Sequence, residues 1–125
     1  MRVKLFLFFL LSLSLNVVSA DYYKCKPEKA YTVSDSGVIE ESWLIGTPFT
    51  VDRVSGEYRS DFLNANFQVL TKGDKDSSFR ATLERSIYSW PYILVVKEYS
   101  DSIKKPYIMM DARSARVRSG LCERF

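Results

Sequence analysis

Apolar and polar side chains alternate with a period of two along much of this chain. Phe79, Ala81 and Leu83 alternate with Arg80, Thr82 and Glu84, and Tyr92, Leu94 and Val96 alternate with Ile93, Val95 and Lys97. Ala115 and Val117 alternate with Ser114, Arg116 and Arg118. Successive side chains of a strand point to opposite faces, so each run reads as a strand buried on one side. Between the runs stand turn-forming clusters: Ser34-Asp35-Ser36-Gly37, Ser55-Gly56, Lys72 to Asp76, Ser89-Trp90-Pro91, Ser100-Asp101-Ser102 and Asp111-Ala112-Arg113. These spacings fit hairpins, not helical crossovers. No stretch keeps apolar residues at helical spacing for three turns, and the best helical candidate is the short segment Tyr58 to Ala65. The pattern predicts an all-β domain, a small antiparallel barrel or sandwich of seven to eight short strands in meander order. The strands are expected near Tyr22 to Lys26, Val38 to Leu44, Phe49 to Val54, Phe67 to Leu70, Phe79 to Ile87, Tyr92 to Tyr99, Tyr107 to Asp111 and Ala115 to Cys122.

The first twenty residues read differently. Arg2 and Lys4 give a positive start, Leu5 to Leu15 an apolar run, and Val18-Ser19-Ala20 a small-residue cleavage site, which is the pattern of a secretory signal peptide. Residues 21–125 are then a single domain, expected to be periplasmic or secreted, with neither membrane span nor lipid anchor. Arg2 and Lys4 belong to the leader while all 15 Asp and Glu lie beyond it, so the mature chain is nearly neutral and nucleic-acid binding is not expected. In an oxidising compartment Cys25 and Cys122, near the two ends of the mature chain, read as one structural disulfide joining the first and last strands, where a barrel must close.

Histidine is absent, which removes Ser-His-Asp and Cys-His nucleophiles and histidine metal sites. Paired carboxylates are no better placed. Glu40 and Glu41 are neighbours on an expected strand and point to opposite faces, while Asp74 and Asp76 among Lys72 and Lys75 read as a solvated turn without the calcium-loop pattern. The expectation is a binding protein, not an enzyme, with no cofactor and no metal.

Two clusters are candidates for binding. Asp52, Arg53, Ser55 and Tyr58 surround a tight turn and could present a carboxylate, a guanidinium and a ring to a partner. The structural reading of the same residues has Asp52 accepting turn amides, Arg53 pairing with a neighbouring strand and Gly56 at positive φ. Tyr88, Trp90 and Tyr92 around Pro91 form the densest aromatic group, either an exposed recognition tip or the cap of a barrel. Lys104, Lys105, Arg113, Arg116 and Arg118 lean basic; Arg116 and Arg118 share a face, as an anion-attracting stripe or, more commonly, as a solvated outer surface.

Five segments, Phe49 to Gly56, Gly73 to Phe79, Leu94 to Tyr99, Lys105-Pro106-Tyr107 and Ser119 to Glu123, together resemble a group of small exported proteins of Gram-negative bacteria that have no assigned activity. Tyr23-Lys24-Cys25, Leu121-Cys122-Glu123 and Ser55-Gly56-Glu57-Tyr58 are also similar to the bacterial inhibitors of c-type lysozyme, exported barrels whose Ser-Gly-x-x-Tyr loop enters the enzyme cleft. Here the loop pattern is one residue short, which reverses the side to which the tyrosine points. The resemblance implies recognition of a protein partner through hairpin tips. The alternative is a barrel carrying an apolar or amphipathic ligand, against which stands strand length: roughly five or six residues each leaves an interior that side chains normally fill.

Overall fold

The structure, a computed structural model, describes residues 21–83 and 91–125. The expected leader, the expected end of the strand at Ile87, and Tyr88 and Trp90 lie outside the described residues. The described chain forms ten strands: β1 (Tyr22–Val33), β2 (Ile39–Ser42), β3 (Phe49–Asp52), β4 (Glu57–Ser60), β5 (Asn64–Asn66), β6 (Gln68–Thr71), β7 (Phe79–Leu83), β8 (Tyr92–Val96), β9 (Lys105–Asp111) and β10 (Arg116–Arg124). Among the described residues no helix is long and apolar enough to cross a membrane.

Every pairing is antiparallel, and the sheet runs β5-β4-β3-β1-β10-β9-β8-β7-β6, with β2 paired to the far half of β1. The two ends of that path, β5 and β6, are consecutive in the chain and meet at Phe67. They are two halves of one bent strand, the first bonded to β4 and the second to β7, so the sheet curls into a nearly closed barrel in meander order. The Phe67 amide donates to the Gly56 carbonyl at 2.8 Å across this seam.

Two expectations change. Tyr58 to Ala65, the best helical candidate, falls in a hairpin whose strands β4 and β5 bring the described strands to ten where seven to eight were expected, with Tyr58 paired opposite Ala65 and the Ser60 hydroxyl accepting from the Leu63 amide in the turn. β1 is 12 residues long where a short strand was expected, because a bulge between Pro27 and Lys29 breaks the alternation without ending the ladder.

Tyr23, Cys25, Phe49, Val51, Tyr58, Phe67, Phe79, Ala81, Leu94, Val96, Tyr107 and Cys122 fill the barrel. Tyr58 stacks between Phe49 and Phe67 with ring centroids 4.9 and 5.1 Å away, and Tyr107 meets Phe49 edge-on at 5.3 Å. Such pairs each contribute about 0.5–1.5 kcal/mol beyond their burial. Cys25 and Cys122 are directly opposed on β1 and β10 and form the expected disulfide between the first and last strands.

One end of the barrel is plugged by charge. Arg53, 2 % exposed, donates to Asp21 Oδ1 at 2.8 Å and to the carbonyls of Lys72 and Gly73 at 2.9 and 3.1 Å. Its guanidinium lies 5.5 Å from the Tyr23 ring. The Tyr23 hydroxyl donates to buried Glu98, and Arg124 bridges Glu98 at 2.8 Å and Asp21 at 3.4 Å.

Candidate functional site: the open mouth of the barrel

At the other end of β10 the barrel opens. Cys122 faces inward, so residues of the same parity on β10 also face inward: Gly120, Arg118 and Arg116. Gly120 sits opposite Tyr107, and a Cβ there would lie 2.0 Å from the Lys26 carbonyl and 2.9 Å from the Tyr107 ring. Above it, Arg118 and Arg116 stand where further apolar layers would otherwise close the core. The result is a cavity of about 470 Å³.

Its floor is aromatic: Phe49, Tyr58, Phe67 and Tyr107, with Tyr92 and Met109 on the wall. Leu44, Gly46 and Thr47, from the β2–β3 connection, and Phe62 and Leu63, from the β4–β5 turn, form the rim. Strand length explains the opening. β1, β9 and β10 have 12, 7 and 9 residues, while β3 to β6 have three or four, so the long strands and the two loops raise a wall above the filled layers. An average strand length conceals this asymmetry, and the expectation of a fully filled interior holds only for the lower half.

The polar groups of the mouth are under-partnered. The Nε atoms of Arg116 and Arg118 and the Tyr107 hydroxyl are buried without a hydrogen-bond partner. Among the described residues, no carboxylate lines the cavity. Asp111, opposite Arg116 in the ladder, is engaged by the β9–β10 turn, accepting from the Arg113 amide at 3.0 Å and the Ser114 hydroxyl at 2.8 Å. Burial pushes the Tyr58 phenol up to about 12 and the Tyr107 phenol higher still, so both remain protonated donors at neutral pH.

The sequence-derived candidates fall in three places. Asp52, Arg53 and Ser55 serve the β3–β4 turn and the closed end: Asp52 Oδ1 accepts from the amides of Val54 and Ser55 at 2.8 Å each, and Ser55 Oγ from that of Glu57 at 3.2 Å. The Ser55 amide is the leading influence that holds the Asp52 carboxyl below the usual carboxylate range. The cluster does not converge at the turn: Arg53 and Tyr58 are both buried, Arg53 beneath it in the closed end and Tyr58 with its ring inside the barrel. Tyr58 and Tyr92 therefore belong to the mouth.

Arg116 and Arg118 face inward, correcting their more common reading as a solvated outer surface. Their parity with Cys122 was the available signal, once the disulfide is taken as part of the core. Asp74 and Asp76 form a solvated turn as expected, Asp74 Oδ1 accepting from the Asp76 amide at 2.8 Å. No cluster of three metal-ligating side chains occurs among the described residues.

Compared with protein families, curated proteins and solved structures, the chain matches none.

Proposed function

We propose that this is a non-catalytic, exported binding protein that holds a small apolar or amphipathic ligand in the mouth of its barrel. The observation that carries the reading is the aromatic-floored cavity itself. Its volume falls within the range of small-molecule sites, and it combines apolar walls with a few converging polar groups. Among the described residues nothing in it pairs a nucleophile with a base, so binding without chemistry is the activity the geometry supports.

The test is titration of the oxidised protein with decanol and with an apolar fluorophore, beside a Leu63→Trp variant that narrows the mouth. Leu63 lines the cavity and is packed only partly into the core. Saturable one-to-one binding that is lost in the variant, with the thermal midpoint retained, is the expected result. Absence of any saturable binding by the unmodified protein would refute the reading.

A second reading, recognition of a protein partner, has one specific support. Trp43 and Phe62, on the loops beside the mouth, are 86 % and 85 % exposed, and solvent-facing aromatics of this size are typical hot-spot residues. In an inhibitor-like mode these two side chains would carry recognition, since the Tyr58 ring is stacked in the core. A Trp43→Ser, Phe62→Ser variant that folds normally and loses a partner captured by the unmodified protein would favour this reading.

A further inference from the structure

We infer that the mouth selects amphipaths with a single anionic head, a carboxylate or phosphate monoester, held between Arg116 and Arg118 with its tail on the aromatic floor. The inference rests on the ligand-binding reading of the same cavity and adds the chemical class of the ligand.

Three observations support it independently of the cavity's size. The first is charge without compensation. Arg116 and Arg118 are two residues apart on one face of β10, so their Cα atoms are roughly 7 Å apart and their side chains run side by side. Neither forms an ion pair with any described residue, and among the described residues no carboxylate lines the cavity. Two adjacent guanidinium groups repel each other, and burying part of each without a partner adds a desolvation cost. A single anion between them relieves both.

The second is directed donors. The unpartnered Nε atoms are accompanied by the Tyr107 hydroxyl, on a side chain only 4 % exposed that lines the same cavity. All three are donors at neutral pH and none is met by a protein acceptor. Charge-assisted hydrogen bonds to an oxyanion are the strongest non-covalent contacts such donors form.

The third is that Arg118 is given room. Gly46, at φ +93°, passes over its side chain, and a Cβ there would sit 3.1 Å from Arg118 Nε. A glycine in a left-handed conformation lets the rim loop cross directly above the guanidinium. The floor beneath supplies the apolar complement through Phe49, Tyr58 and Phe67. An anionic head with an apolar tail matches both halves, whereas a free inorganic anion leaves the floor unused.

The experiment is calorimetric titration of the oxidised protein with ligands of one tail and different heads: decanoate, decyl phosphate, decanol and decyltrimethylammonium, with inorganic phosphate as the tail-less control. The two anions are expected to bind roughly tenfold or more tighter than decanol, the scale of a charged hydrogen bond to buried donors, and the cation most weakly. An Arg116→Gln, Arg118→Gln variant is expected to bind decanoate no more tightly than decanol, with an unchanged circular-dichroism spectrum and thermal transition reporting that the barrel is intact. Tyr107→Phe, which removes one oxygen, is expected to weaken decanoate more than decanol.

Equal affinity for decanoate and decanol would overturn the anionic selectivity and leave the ligand-binding reading standing. A preference for decanoate that survives in the double variant would place the head elsewhere and overturn the assignment to the two arginines. Inorganic phosphate binding as tightly as decanoate would overturn the amphipath. If no tailed compound binds, the pocket reading falls and this inference with it.

Discussion

Arg53 carries a full charge into the closed end of the barrel, where both terminal amino groups meet acceptors and a ring lies beside the guanidinium, while its Nε is buried without a partner. Asp21 takes one amino group, the Lys72 and Gly73 carbonyls take the other, and Tyr23 lies beneath the guanidinium plane. Replacing it with Met leaves Asp21 and two carbonyls facing an apolar group, and breaking a buried pair in this way costs about 3–5 kcal/mol. Urea unfolding of Arg53→Met is expected to show a loss on that scale, and a change under about 0.5 kcal/mol would mean that the network is ornamental. The same residue makes stability depend on acid. Burial would raise the Asp21 carboxyl, but the hydrogen bond and charge of Arg53, with Lys72 and Arg124 behind them, outweigh it and hold the group below its ordinary value. A carboxyl depressed in the folded state contributes fully above its unfolded pKa, about 3.9, and the contribution disappears as pH falls through the folded value. Stability is therefore expected to fall below about pH 4 in the unmodified protein, and Asp21→Asn, less stable at neutral pH, is expected to show a smaller acid loss. Parallel acid limbs for the two proteins would contradict this.

The strands divide according to how cleanly their neighbours obey the rule of two. β7 and β8 alternate without interruption, and their starts at Phe79 and Tyr92 follow from the sequence alone, while β8 ends at Val96, short of the expected Tyr99. β1 was seen only as far as Lys26, because its bulge at Glu28 throws the later residues out of phase while the ladder to β10 continues. The β4–β5 hairpin was harder still, since its strands have four and three residues, too few to show a period. Facing direction was the remaining difficulty at the mouth: a strand with arginines on one side and small apolar residues on the other offers no local sign of which side is inside, and the side is set by register to Cys25 and Gly120. Asp52 and Gly56 were legible because turn chemistry is local. Gly56 illustrates how closely elements meet at the seam: at φ +76°, a Cβ there would lie 2.0 Å from the Phe67 carbonyl. Gly56→Ala combines backbone strain with a collision against main chain and is expected to lose roughly 2–4 kcal/mol. Gly37 has a similar φ of +82° with nothing within 4 Å, so Gly37→Ala carries strain alone and is expected to lose about 1 kcal/mol. Thermal or urea unfolding of the pair separates conformation from contact, and equal losses would mean that the approach at Phe67 relaxes freely.

The whole molecule is a barrel with unlike ends, one sealed by ion pairs and one open over aromatic rings, and its single covalent bridge lies between them. The Cys25–Cys122 bond spans 97 residues of sequence but joins strands that already share a long ladder on both sides of it, from Tyr23 opposite Arg124 to Tyr31 opposite Val117. The weak point of the sheet is elsewhere, at the β5–β6 bend, where Arg53 and the Phe67 amide do the joining. A bridge placed within a strong ladder adds little to the folded state and acts chiefly on the unfolded chain, which it prevents from expanding. On the chain-entropy account a loop of this length corresponds to roughly 4–5 kcal/mol. Two signatures follow for the Cys25→Ser, Cys122→Ser variant. Its urea midpoint should fall by an amount equivalent to that energy, and its unfolding slope should rise, because the released chain exposes more surface than the cross-linked one. The slope is the sharper reading. If stability falls with the slope unchanged, the bridge acts by holding the folded barrel together, and the β1–β10 ladder is weaker than its register implies; if neither changes, the disulfide is incidental to the fold.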